Sequence, residues 1–315
     1  MYLWHNSQMN KESWDRKILI TGASGFIGRL LTRRLLADGC HVRCLVRREP
    51  AGLPDGAETV RGDLLEPLSL GPVLTGIDTA YYLVHSMSGG RSGFERRDRE
   101  AAENFVAAAE RAGVRRVIYL GGLGETGDDL SEHLRSRLEV ADILKKGHFA
   151  TTFLRAAIII GAGGASFEMV HSLVKRLPVM ITPRWVATRC QPIAVEDVIE
   201  YLAGCLKDER TTGRTFDIGG PEVLTYREMM VRFGRIEGRE LLILSVPVLT
   251  PKLSSYWVGL ITPVPPSVSM PLIEGLKNEV VCREDAIREI IPIRLTPYDE
   301  AIRKALAEEP AAKNH

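Results

Sequence analysis

The chain has 315 residues, 45% of them hydrophobic, enough to bury one large core or two modest ones. Its 41 Lys and Arg stand against 40 Asp and Glu, so net charge gives no case for nucleic acid or an acidic membrane, and clusters such as Arg96-Arg97 and Arg115-Arg116 are interleaved with acids as on a solvated face. The five cysteines are odd in number and lack the paired spacing of a zinc site, so they read as reduced thiols and no metal is expected.

Residues 1–16 are polar, carry two tryptophans and lack the continuous apolar stretch of a signal peptide, which predicts a loosely ordered extension on a cytoplasmic protein. The chain organises itself at Lys17. Ile18 to Thr21 suits a buried parallel strand, and Phe26, Ile27, Leu30, Leu31 and Leu35 then recur at helical spacing. Between them stand Gly22, Gly25 and Gly28. In a dinucleotide fingerprint one glycine makes the tight turn, a second lets backbone approach a pyrophosphate and a third packs helix against strand. The helix N-terminus then offers free N–H groups to the phosphates. An ordinary strand-to-helix turn is the alternative, and the placement between strand and helix favours the dinucleotide site.

Asp38-Gly39 stops this helix and His41 to Val46 reads as the second strand. An NAD site commonly has an acid about 20 residues beyond the glycines. Here Arg47 stands in that place, followed by Arg48. A guanidinium suits a 2′-phosphate, which points to NADP(H) over NAD(H); two surface arginines on a loop are the alternative. A third strand near Thr59 to Arg61 runs into Gly62-Asp63-Leu64, and a fourth, Thr79 to Val84, into His85-Ser86. Ligands of open parallel sheets bind beyond the carboxyl ends of the strands, so Asp63, His85 and Ser86 are candidates. A helix cap is the alternative for Asp63, and His85 equally suits a structural histidine.

Phe94 to Ala112 is a long helix stopped by Gly113, and Val114 to Leu120 a fifth strand. Gly121-Gly122-Leu123-Gly124 follows, a plain turn or a place of close ligand approach. The helix Ser131 to Lys146 sets His133 and Arg137 four apart on one face. A sixth strand, Thr151 to Ile160, is broken by Gly161-Ala-Gly-Gly164. Then come a helix Phe167 to Lys175, the segments Val179 to Ile181 and Arg189 to Ile193, a helix Val195 to Lys207, a strand Phe216 to Gly219 and a capping box at Thr225-Tyr-Arg-Glu228. From Leu241 to Ile273 the only charge is Lys252, and repeated prolines rule out a spanning helix. That stretch reads either as a buried or subunit-facing lobe over the active-site crevice or as a surface that docks on a membrane or an apolar partner. A last helix opens at Thr296-Pro297.

The expected architecture is α/β: a Rossmann-type, doubly wound parallel sheet over 17–220, with 161–190 contributing to the substrate pocket, a smaller C-terminal substrate lobe over 221–308 and a tail from 309 to 315.

Thr21-Gly-Ala-Ser-Gly-Phe-Ile-Gly28, Gly62-Asp63-Leu64, Leu154-Arg155-Ala156-Ala157, Gln191-Pro-Ile-Ala-Val-Glu-Asp-Val198 and Phe216-Asp-Ile-Gly-Gly220 together resemble the extended and atypical short-chain dehydrogenases/reductases, and most of all their NmrA-like NAD(P)H-binding members. The resemblance implies that Gly22, Ser24, Gly25, Phe26 and Ile27 line the pyrophosphate, Arg47 the 2′-phosphate, and Asp63 and Leu64 the adenine. It implies further that Val84, His85 and Ser86 line a ribose and that Arg155, Ala156, Ala157 and Ile158 approach the nicotinamide.

The active site departs from that family. The usual Tyr-x-x-x-Lys is replaced by His133-Leu-Arg-Ser-Arg137, and the usual Ser or Thr by Gly121 to Gly124. Arg137 can still supply charge and bind a ribose. His133 is either an acid/base or part of a solvated helix face. Three readings follow. The first is an NADP(H)-dependent oxidoreductase that reduces a carbonyl, quinone or other conjugated apolar small molecule. The second is a non-catalytic NADP(H) sensor or scaffold, and the third a nucleotide-sugar epimerase or dehydratase, which leans on the missing base. A homo-oligomer and a peripheral membrane contact stay open.

Overall fold

A computed structural model describes residues 17–48, 52–84, 93–123, 132–182, 184–245 and 278–312. The expected N-terminal extension, His85, Ser86, Gly124 and all but the first residues of the 241–273 stretch lie outside the described residues, as does the side chain of His133.

Seven parallel strands form the central sheet: β1 (Lys17–Thr21), β2 (His41–Val46), β3 (Glu58–Arg61), β4 (Ile77–Tyr82), β5 (Arg116–Gly122), β6 (Ala150–Ala156) and β11 (Thr215–Ile218). Their spatial order is β11-β6-β5-β4-β1-β2-β3, so the chain winds outward one way from β1 and then restarts beside it at β4. The helices α1 (Phe26–Ala37) and α6 (Val195–Lys207) cover one face. The other face is covered by α2 (Leu70–Leu74), α3 (Phe94–Ala112) and α4 (Glu132–Lys145). With both faces covered, the inner strands read as unbroken apolar runs rather than as alternating ones.

Several strand and helix ends shift by one or two residues from the sequence expectation, and two differences matter for the site. Gly121 and Gly122 are the last residues of β5, paired with Arg155 and Ala156 of β6, and not a loop. The apolar run from Thr151 to Ile160 is two strands, because beyond Ala156 the chain leaves the sheet and Ile159–Ile160 (β7) pairs with Ile193–Ala194 (β10). Apolar composition is the same on either side of that break, so only the change of partner reveals it.

A second core gathers around α5 (Ala165–Arg176), α7 (Tyr226–Ile236) and a C-terminal helix, together with the short strands β8 (Val179–Thr182), β9 (Arg189–Cys190), β12 (Leu224–Thr225) and β13 (Leu242–Ser245). Thr225 and Glu228 form the expected capping box at the start of α7. His171 of α5 stacks on Phe233 of α7 at 5.4 Å and meets Glu237 (2.9 Å) and Glu309 (3.3 Å), tying the three lobe helices together. The return segment is divided. In α8 (Ala286–Ile290) Ile287, with Ile291 after it, joins the core on the α1/α6 face of the sheet, whereas Tyr298, Ile302 and Ala305 of α9 (Tyr298–Ala312) belong to the lobe core. Between them Asp197 of α6 accepts hydrogen bonds from the Thr296 N–H (2.8 Å) and hydroxyl (2.9 Å), which pins the entry to α9 onto the sheet domain.

Candidate functional site

The order in which strands are added reverses between β1 and β4, and the connections from these two parallel strands leave to opposite faces, which opens a crevice at their carboxyl ends. Thr21 closes its floor: its hydroxyl donates to the Tyr81 carbonyl and accepts from the Leu83 N–H, both at 3.1 Å. Directly above sits Gly22, with φ +71° and a Cβ position only 2.6 Å from the Leu83 carbonyl oxygen, so any side chain there meets main chain. A Cβ at Gly28 would stand 2.2 Å from the Gly22 oxygen, so this glycine lets α1 pack onto the turn. Gly25 caps α1 without a side chain, and no acid stands in the first helical turn. The first N–H groups of α1, from Phe26 and Ile27 onward, are therefore left without a side-chain cap or a competing negative charge, beside the exposed Ser24.

Arg47 and Arg48 are exposed immediately after β2. A third cation, which sequence reasoning missed, joins that loop: Arg29 of α1 brings its Nη1 to 3.7 Å from the Cβ position of Gly52. The only signal for it in the sequence is its place one residue after Gly28. Asp63 uses its Oδ1 to accept the Leu65 N–H at 3.0 Å, closing its own turn, and its N–H is held by the Ser69 hydroxyl at 2.9 Å. Leu64 points into the α3 side of the core at 5% exposure, and Asn104 holds its carbonyl. Val84 is half-buried at the carboxyl end of β4.

On the far side of the crevice Ala156 accepts from the Leu123 N–H (2.7 Å) and Ile158 from the Ile193 N–H (2.9 Å), so the chain turns off the sheet here with its backbone satisfied. Ala157 and Ile158 are half-buried. The Gly161 to Gly164 loop then folds down on Phe26, with Cβ positions at Gly161 and Gly164 lying 2.9 and 3.0 Å from that ring. These glycines make room for an aromatic side chain at the head of α1. Arg155, expected beside the nicotinamide, spends its guanidinium on Asp217 of β11 at 2.6–2.7 Å. Asp217 is itself buried and also accepts the Arg283 N–H at 3.0 Å. The geometry makes this side chain a tie between the sheet edge and the returning C-terminal segment.

His133 and Arg137 both fall on α4, as expected. The Nε of Arg137 is buried without a hydrogen-bond partner among the described residues, although the Tyr119 hydroxyl reaches the Arg137 carbonyl at 3.4 Å. Ser136 holds α4 to α3 through Asp98 at 3.1 Å. Burial pushes the thiols of Cys190, Cys205 and Cys282 up to about 12, so they stay protonated and offer no thiolate nucleophile. One feature fits a dinucleotide: the tight turn that Gly22 and Gly28 allow sets the uncapped start of α1 beside the carboxyl end of β1.

The sequence profile described as NAD(P)H-binding matches residues 22–160. The divinyl chlorophyllide a 8-vinyl-reductase of Arabidopsis thaliana is 25% identical over 76% of this chain, which spans 62% of the plant protein's length. The (4-alkanoyl-5-oxo-2,5-dihydrofuran-3-yl)methyl phosphate reductase of Streptomyces griseus is 28% identical over 71% of this chain and 75% of its own. Among solved structures, the Citrobacter triphenylmethane reductase complexed with NADP(H) aligns with a TM-score of 0.73 at 20% identity, over 92% of this chain and 99% of that one, a likeness of fold.

Proposed function

We infer that this chain, a member of the atypical short-chain dehydrogenase/reductase family through its NAD(P)H-binding domain, is an NADP(H)-dependent reductase of apolar, conjugated acceptors such as quinones and unsaturated carbonyls. The observation that carries the reading is the glycine cradle at the switch point with arginines, Arg47 and Arg48 joined by Arg29, on the loop where an NAD site commonly holds an acid. The reductases it resembles support a conjugated acceptor by their own substrates, a vinyl group and an unsaturated furanone ring.

The chain's own residues divide the work. The uncapped N–H groups of α1 hold the pyrophosphate and the arginine loop the 2′-phosphate. Asp63, the backbone at Leu64 and the end of β4 line the adenosine half, and Ala156, Ala157 and Ile158 wall the other end with apolar surface. The bound cofactor supplies hydride. Arg137 offers fixed positive charge and an N–H unpaired among the described residues to a ribose or to the anion left on the acceptor, and His133, one turn earlier, is the candidate proton donor.

The test compares NADPH with NADH on the wild type and Arg47→Ala. Loss of a charge-assisted phosphate contact should weaken NADPH by about 1.5–3 kcal/mol, roughly tenfold to a hundredfold, and leave NADH unchanged. Equal losses for both refute the phosphate role. NADPH oxidation is then followed with a panel of quinones and enones; complete inertness of protein that binds NADPH refutes the reductase and leaves the sensor reading.

A further inference from the structure

The outer surface of the lobe carries a feature that the cofactor site does not use. β8 and β13 pair in parallel as a two-stranded ribbon, Val179 opposite Leu242 and Ile181 opposite Leu244. Alternation buries Met180 and Ile243, both 4% exposed, against the lobe core. The other face presents Val179, Ile181, Leu242 and Leu244 at 51, 63, 55 and 48% exposure. A ribbon with one face covered ordinarily turns polar side chains to water on the other. Here all four of these outward positions are aliphatic, and they form one contiguous patch.

The charges at one end of the patch are mostly of one sign. Because the strands are parallel, both helix-to-strand connections enter at that end, and residues 175–178 and 235–241 carry Lys175, Arg176, Arg235 and Arg239, all exposed. Their two acids are Glu237, which is turned inward to His171, and Glu240. Arg239 donates to the Lys175 carbonyl at 2.9 Å, which holds the two basic turns side by side. A balanced net charge over the whole chain thus hides a local excess of cations beside an apolar patch.

We propose that this face is a membrane-docking surface: the four aliphatic side chains seat in the boundary between headgroups and acyl chains of an anionic bilayer, and the lysine and arginine cluster at the ribbon's entry end meets the lipid phosphates. An aliphatic patch beside a cluster of lysines and arginines is the pattern of a surface that lies on a membrane. No helix among the described residues is long and apolar enough to cross one. Four half-exposed aliphatic side chains also fall well short of the roughly 800 Å² per partner that a stable protein interface buries. Docking here places the lobe against the phase into which an apolar acceptor partitions.

The test is co-sedimentation of the full chain with phosphatidylcholine vesicles, with and without phosphatidylglycerol. The wild type should bind the anionic vesicles, less at high salt, and Ile181→Glu/Leu244→Glu should reduce binding at least tenfold. Lys175→Glu/Arg235→Glu should abolish the preference for anionic lipid. All these positions are exposed, and unchanged melting and NADPH affinity establish that the variants fold. As a second readout, Ile181→Cys should react with a water-soluble maleimide beyond the wild-type background and be shielded by anionic vesicles. The proposal falls if neither vesicle is bound, or if the glutamate variants bind as well as the wild type. It falls equally if the new cysteine is already shielded without lipid, which would mean that residues 246–277 cover the patch, or if the wild type is a dimer that Ile181→Glu/Leu244→Glu separates.

Discussion

Replacing Gly28 by alanine tests the cradle without disturbing any charge. Gly28 lies inside α1 and has no positive φ, so by helix propensity alone alanine would gain about 1 kcal/mol. The added Cβ, however, stands 2.2 Å from the Gly22 oxygen and 2.7 Å from the Ala23 Cα, both main chain, where no side-chain rotation relieves it. Contacts below 3.0 Å are not tolerated, so helix and turn must move apart by several tenths of an ångström. Overpacking of this kind costs about 1–3 kcal/mol, which outweighs the propensity gain at its upper end. Function is the more sensitive readout, because the shift moves the N–H groups proposed to hold the pyrophosphate. We expect the NADPH Kd to rise at least tenfold, about 1.4 kcal/mol, with a modest fall in Tm. Gly39→Ala is the control: its φ of +81° imposes about 1–2 kcal/mol of backbone strain, but no described residue lies within 4 Å of its Cβ, so it should lower Tm and leave Kd alone. Calorimetric titration with NADPH and a thermal scan measure both. A Gly28→Ala protein with wild-type Kd, or a Gly39→Ala protein with an equal loss, would refute the cradle.

Arg155→Leu should leave the buried Asp217 carboxylate without its guanidinium, at a cost of about 3 kcal/mol, and lower Tm without changing NADPH affinity; weaker NADPH binding at unchanged Tm would return Arg155 to the nicotinamide side. Asp197→Ala should cost about 1–3 kcal/mol by leaving the Thr296 N–H unpaired, read from denaturant unfolding. Burial holds the Asp197 carboxyl above its usual 3.8, so the wild type loses stability as pH rises from that value through the raised pKa, and Asp197→Asn should flatten this slope in melting curves. Glu222 has the opposite sign: the hydrogen bond from Arg232 holds it below 4.5, so its contribution is present above that pH and lost as pH falls through the lowered pKa. Arg232→Met should therefore remove that part of the acid-side loss of stability, and an unchanged acid limb would show the pair to be energetically silent.

Local rules settle much of this chain. His41–Val46, Phe94–Ala112 and Val195–Lys207 can be bounded to the residue from periodicity and stop signals, because a strand's alternation and a helix's period are properties of adjacent residues. The glycine turn and the exposed arginines after β2 are legible for the same reason: strand, turn and helix start lie within one short unit. What the sequence left open depends on partners far along the chain. Thr151 to Ile160 divides only because Ile159 finds Ile193, and Arg155 becomes a tie at the sheet edge only because β11 brings Asp217 beside it, 62 residues later. Arg29 enters the arginine loop through the packing of α1, and the ribbon's exposed face exists because Leu242 and Leu244 lie beside Val179 and Ile181. A strand's inward and outward sides acquire meaning only when a neighbour covers one of them. Composition therefore announced an apolar stretch from Leu241 onward, and tertiary structure decided that its first strand turns one side to the core and the other outward.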